Sequence, residues 1–316
     1  MSSFGSLLRL NLAACLLLIA VGNSSQVAAE VRLESKEDRV TVWLGDEIFT
    51  EYIFKGYEKP ILYPIIGPAG IGMTRNWPMR DGVENEAHDH PHHKSIWFGH
   101  MKVNGESFWH AGETGNATIS KEVLIDGNTI RAQNDLVAQD GKKLVATDSR
   151  EISFFADGET RMIDYAVTYH ASQGDIVFGD NKDGQMGIRM NPHLRIKGPV
   201  ANGQAVNATG VTTADIWGKR AEWIDYWGTI DGNVVGIAMF DHPSNLRHPT
   251  WWHARDYGLV SANPFGRQDF EGEQAESGDY TLPSGESLTF KHRFVIHRGD
   301  AQAAGIEKIY RDWAGK

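Results

Sequence analysis

Six of the chain's 13 histidines lie between Arg75 and His110. The densest run is His88-Asp89-His90-Pro91-His92-His93, with Arg75 and Arg80 before it and Trp97, His100 and Asn104 after it. Imidazoles titrate near neutral pH, so they can take up or release a proton, and they ligate Zn, Cu, Fe or Ni. In an extended backbone, alternation places His88 and His90 on one side. Pro91 favours extended geometry at His90 and interrupts a central ladder, so His92 and His93 need not continue that face. Three readings follow. His88, His90, His92 and His93 are catalytic groups facing a hydroxylated ligand; or they hold a divalent metal; or they hydrogen-bond within a polar loop. The metalloprotease spacing His-Glu-x-x-His is absent.

A second polar region runs from Asp241 to Asp269. It contains His242, Trp251-Trp252-His253, Asn263 and Arg267. Adjacent Trp251 and Trp252 in a strand face opposite sides, one to the core and one outward. Exposed tryptophan rings stack on sugar faces, and Asn, Arg and His satisfy hydroxyls. Ten tryptophans also suit a large core. Arg189 and His193 are spaced for one strand face; they either join the site or pair with surface carboxylates.

Strands must position these residues. Val40, Val42 and Leu44 alternate with polar or amphipathic neighbours, as do Leu288, Phe290, His292, Phe294 and Ile296. Further strands are expected within 144–155, 162–170, 223–230 and 234–240. Turn signals separate them, including Asp157-Gly158 and Asp231-Gly232-Asn233. Ile306, Ile309, Tyr310 and Trp313 fall at helical spacing, with Asp300 as the expected N-cap. Many antiparallel strands with one short helix predict an all-β sandwich or barrel.

Composition narrows the partners. Arg9, the apolar run to Val21 and Val27-Ala28-Ala29 read as a signal peptide, with residues 30–316 as the mature domain. Cleavage near Ala29 predicts a secreted or periplasmic protein. The formal charge is −10. Losing the signal removes Arg9 and no acid, leaving the mature chain one unit more acidic. That argues against nucleic acid, which needs clustered Lys and Arg. No later stretch is long and apolar enough to span a membrane. The one cysteine, Cys15, lies in the signal, so disulfides and thiolate chemistry are excluded from the mature chain.

Known motifs were compared with these residues. Gly-x-Ser-x-Gly and the P-loop are absent. Gly82-x5-His88-x-His90 resembles the opening of a cupin motif, but Lys94-Ser95 stand where its Glu belongs. The segments Tyr63–Gly70, Thr74–Met79, His88–His100, Val103-Asn104-Gly105 and Phe108-Trp109 resemble the PmoA family of exported bacterial proteins, as does Asn263-Pro264-Phe265-Gly266. A methane monooxygenase subunit needs several membrane spans, so methane oxidation does not follow from that resemblance.

The chain is also remotely similar to galactose-mutarotase-like proteins. The shared features are an early Arg, His90-Pro91-His92-His93, and a closing strand after Pro283-Ser284-Gly285-Glu286. That similarity implies a large antiparallel β-supersandwich and a carbohydrate-active role, with His193 standing for the family's acid. The family's late Glu base would fall near Leu259–Pro264, where Ser261-Ala262-Asn263 offer no carboxylate. Glu84, Glu86, Asp89, Asp256 or a neutral histidine are the other candidate bases. The expected partner is a carbohydrate or other polyhydroxylated small molecule, bound by Arg75, Arg80, Trp97, His100, Asn104, Arg189, His242, His253, Asn263 and Arg267. A His-ligated metalloenzyme and a non-catalytic sugar binder are the alternatives.

Overall fold

The computed structural model describes Met1, residues 30–139 and residues 141–315. The expected signal, Met1 apart, lies outside the described residues.

Two eight-stranded antiparallel sheets face each other. The first runs β1 (Val31–Ser35), β2 (Arg39–Leu44), β3 (Glu47–Ile53), β4 (Ile61–Leu62), β5 (Ile96–His100), β11 (Gly184–Arg189), β16 (Leu259–Asn263), β15 (Trp251–Ala254). The second runs β12 (Gln204–Asn207), β13 (Trp223–Ile230), β14 (Asn233–Asp241), β18 (Ser287–Arg298), β9 (Thr160–His170), β8 (Lys143–Asp157), β7 (Thr129–Ala138), β6 (Ala117–Asp126). A ribbon of β10 (Ile176–Phe178) and β17 (Tyr280–Leu282) completes the strands. The protein is a large antiparallel β-supersandwich, as expected.

Each expected strand forms because one side of its period-2 pattern is apolar. In β9, Ile163, Tyr165, Val167 and Tyr169 are buried while their neighbours are half-exposed. Together with Val40, Phe98, Ile188 and Trp252 from the first sheet they form one inter-sheet core. Two-residue turns set the hairpin registers. Between β13 and β14, Asp231 and Gly232 both have positive φ (49° and 76°), the geometry that Asp-Gly favours.

Two short helices pack outside the sheets. α1 (Arg267–Glu271) was not expected. α2 (Ile306–Ala314) buries Ile306 and Tyr310 against Trp223, Phe240 and Val295 on the outer face of the second sheet. Its N-cap is Gly305, not Asp300; the Asp300 carboxylate instead accepts from Ala303 N–H in the preceding turn. Trp252 enters the core as expected. Trp251 faces the other side but is buried too, under Arg220 and with its indole N–H donated to Glu271. No helix among the described residues is long and apolar enough to cross a membrane.

The outer face of the first sheet matters most for the site. The pairing aligns Arg39, Ile53, Ile61, Trp97, Gly187, Ser261 and His253 in one transverse row. Ile53, Ile61, Trp97, Trp109 and Leu259 form a second, smaller apolar cluster there, on which Tyr57, Tyr63, Met79, Met101 and Tyr257 pack.

Candidate functional site

The His-rich segment crosses above this second cluster as a turn, not as an extended strand. His93 N–H donates to His90 O at 3.0 Å, and Pro91 occupies the second position of that turn. His90 has φ 47°, so the extended geometry expected before Pro91 is overturned. The turn's closing hydrogen bond and its contacts to Arg75 outweigh the local preference. The pairing of side chains changes with it. His90 and His93, not His88 and His90, share a side, and their rings stack 4.8 Å apart at 3°. His88 stacks on Trp77 instead, at 5.1 Å.

Arg75 builds the turn. Its Nη1 donates to Ala87 O, Asp89 O and Asp89 Oδ1, and its Nη2 to His90 O and His93 O, all within 3.1 Å. The guanidinium is buried, which pushes its pKa down to about 10, with Arg189 adding to the effect. It remains cationic at neutral pH. Its Nη donors are spent on loop carbonyls and Asp89, so Arg75 shapes the site.

Arg189, at the end of β11, meets the turn from below. Nη2 donates to Asp89 Oδ1 at 2.8 Å, and Nη1 lies 3.0 Å from His93 Nδ1. Its guanidinium lies 4.5 Å from the centroid of the Tyr257 ring. Asp89 thus joins two arginines through Oδ1, while Oδ2 lies 3.1 Å from His90 Nδ1. The hydrogen bond with His90, aided by Arg189 and Arg75, holds the Asp89 carboxyl well below the ordinary range.

The Arg189 contact fixes where the His93 proton sits. An arginine has no acceptor, so His93 Nδ1 must accept and its proton sits on Nε2. Burial and the neighbouring His92 and Arg189 push its pKa far down. His90 Nδ1 lies 3.1 Å from Asp89 Oδ2, an ion-pair contact; with its proton on Nδ1, the ring leaves Nε2 as a lone pair. An oriented carboxylate–histidine dyad of this kind is a general base. His90 is 41% exposed, so Nε2 can meet a ligand. Two arginines and one carboxylate leave the network net positive, suited to charge developing on a ligand oxygen.

Beneath the turn, His93 stacks on Trp97 at 5.1 Å, and Trp97 meets Trp109 edge-on. Gly187 makes room for them: a Cβ there would lie 2.7 Å from Trp97 Cζ2. His92 points the other way. Its Nδ1 is 2.8 Å from Glu113 Oε1 and its ring meets His110 edge-on. Burial, then the His110 charge, lower its pKa far below 6.5. Lys59 is fully buried below, donating to Trp109 O, and desolvation brings its pKa down to about 7.

The other expected residues are placed elsewhere. His100 faces the inter-sheet core, 2.8 Å from Gly179 O. Asn104 sits in a turn and bonds Asp175 and Val177. His193 lies in a 3-10 turn beside Asn191. His242 stands against Trp313 on α2. Asn263 braces Asn181 and Phe265. Arg267 pairs with Glu271 and Glu276. Arg80 is exposed in the loop before the turn. His253 shares the outer face of Trp97, buried, with Nδ1 2.9 Å from Lys182 O and Asp183 nearby. Of the candidate bases, Glu86 is engaged by Asn76 and Trp77, Glu84 is exposed, and only Asp89 touches the cluster. The sequence reading missed Tyr257, Glu113, Lys59 and Asp183. Each is a single residue in a turn or strand end, with no motif around it.

The residues do not fit a three-histidine metal centre. No three His, Cys, Asp or Glu side chains among the described residues are grouped to hold an ion. The stacked rings of His90 and His93 direct their in-plane lone pairs along parallel planes, and both Nδ1 atoms are engaged.

This site belongs to a chain whose residues 39–311 match one family model, described as a family of unknown function (DUF6807). The protein is a member of that family, which corrects the resemblance to the PmoA family: the matching model is a different one. No curated protein sequence matches the chain. Among solved structures it is similar to a galactose mutarotase related enzyme from Lactobacillus acidophilus, with 11% identity, TM-score 0.36, and coverage of 84% of this chain and 97% of that one. It is also similar to a galactose mutarotase-like protein from Clostridium acetobutylicum, with 7% identity, TM-score 0.35, and coverage of 86% and 99%. A polysaccharide lyase is similar at 10% identity and TM-score 0.38; the match covers 87% of this chain and 33% of the lyase.

Proposed function

We propose that the protein is an exported acid–base enzyme acting on a sugar or a similar polyhydroxylated molecule. The observation that carries this reading is the Asp89 Oδ2–His90 Nδ1 contact of 3.1 Å. It leaves His90 Nε2 free to take a proton from a ligand hydroxyl or C–H and to return it, with Asp89 stabilising the imidazolium. His93 Nε2–H is a fixed donor beside it. Arg189 positions both through Asp89 and His93. Tyr257, stacked on His90 at 5.4 Å with the Arg189 guanidinium 4.5 Å from its centroid, holds the imidazole in place, and its half-exposed edge adds an apolar border for a sugar. A non-catalytic binder needs that border and the donors but not an oriented dyad.

The test is a screen of neutral sugars, uronates and oligosaccharides with wild type and His90→Asn. Asn tolerates the positive φ at this position, so the backbone is kept. The expected result is product formation that falls about 100-fold or more in the variant, with ligand binding retained. A folded wild type without product across the panel, or an equally active variant, refutes the proposal.

A further inference from the structure

A cavity opens on the same sheet face as the His90–His93 turn. Its volume is about 370 Å³, and Arg39, Glu51, Lys55, Tyr57, Tyr63 and Met79 are among its walls. Three observations connect it to the turn. First, Arg39 and Ile53 lie in the same transverse row as Trp97, the residue under His93. From β2 to β5 is three strand spacings, or about 14 Å. Second, Tyr57, Tyr63 and Met79 pack on the same apolar cluster as Tyr257. The cavity and the turn therefore border one buried apolar cluster, with tyrosines at both of its margins. Third, its polar groups are already oriented. Arg39 is held by both Asp38 oxygens and by Glu51 Oε2, and Tyr63 O–H donates to Asn76.

Half-exposed tyrosines beside fixed hydrogen-bonding groups are the chemistry that binds a sugar ring. The lining charges of Arg39 and Lys55 are balanced by those of Asp38 and Glu51, so the cavity carries no net charge and favours a neutral unit.

We infer that this cavity is a distal subsite, and that the ligand is a neutral oligosaccharide spanning from it to the His90–His93 turn. The inference rests on the sugar-directed reading of that turn. A chain crossing this face would place one unit against Tyr57 and Tyr63 and another at the exposed edge of His90.

The experiment uses neutral gluco-, xylo- and galacto-oligosaccharides from monosaccharide to tetrasaccharide. Calorimetric binding and product formation are both measured, for wild type, Tyr57→Ala and the exposed-site variant Lys55→Ala. The expected result is that longer ligands are favoured over the monosaccharide by at least about tenfold in wild type. Tyr57→Ala brings that ratio close to one, and Lys55→Ala lowers it. A length preference in binding that Tyr57→Ala abolishes, without product, supports the subsite and removes the enzymatic reading. Turnover with no length preference, or a preference unchanged in both variants, overturns the subsite and leaves the acid–base reading standing. No binding of any member overturns both. Should Tyr57→Ala fail to fold, Lys55→Ala alone decides: an unchanged ratio overturns the subsite.

Discussion

Arg189 Nη1 lies 3.0 Å from Nδ1 of His93, and this contact sets the proton on the far nitrogen of the ring. Because a guanidinium only donates, His93 is locked as the neutral Nε2–H tautomer. Nitrogen-detected NMR of the imidazoles should show this tautomer for His93 from pH 5 to 8. Arg189→Met should release it and destabilise the fold by roughly 3 kcal/mol, the scale for breaking a buried charged network. A protonated His93 at pH 6 in wild type would contradict the network.

Gly187 is expected to tolerate no side chain. An added Cβ would sit 2.7 and 2.8 Å from two atoms of Trp97 and 3.1 Å from Trp109. Both indoles are fully buried, Trp97 stacked on His93 and Trp109 edge-on to Trp97, so neither can yield cheaply. Gly187→Ala should cost about 1–3 kcal/mol by overpacking and displace the shelf under His93. Urea unfolding measures the cost, and a neutral substitution would mean that Trp97 is free to move.

Lys59 is fully buried with its ammonium on Trp109 O, and its pKa is brought down to about 7 by desolvation. The unfolded chain binds this proton up to about pH 10.4, so the native state is penalised most below pH 7. The penalty shrinks as pH rises from 7 and is gone above pH 10. Lys59→Met should therefore raise stability at pH 6–7 by a few kcal/mol and lose most of that advantage near pH 10. Denaturation series at the two pH values check this; equal effects at both would refute it.

Acidification should weaken the fold. Burial lowers the pKa of His93 far below 6.5 and that of His100 to about 4. Below pH 6.5 the unfolded state takes up protons that these native rings refuse. Stability is then lost at about 1.4 kcal/mol per pH unit for each such ring. His297, raised by its buried contact with Asp225, works in the opposite direction, but His92, His253 and His292 are lowered by burial as well and outnumber it. The melting temperature should fall between pH 7 and pH 5, and a rise would exclude neutral buried rings.

The sequence by itself determined the strands with clear alternation and the chemical inventory. Period-2 alternation around Val40, Ile163 and Phe294 is local, and so are Asp231-Gly232 and the helical spacing from Ile306, so each was legible. The His, Arg and Trp types around the turn were legible for the same reason. Which of them meet was decided by tertiary structure. Asp89 and Arg189 are 100 residues apart, and the β5–β11 pairing with the Arg75-anchored turn is what joins them. Local rules favoured an extended His90, and long-range hydrogen bonds to Arg75 overrode them, so His90 faces His93 instead of His88. His100 was sent to the core by strand parity: Ile96, Phe98 and His100 share one side of β5, and Trp97 alone points to the site. Parity is fixed only when the sheet chooses which face to bury, and that choice belongs to the whole sandwich.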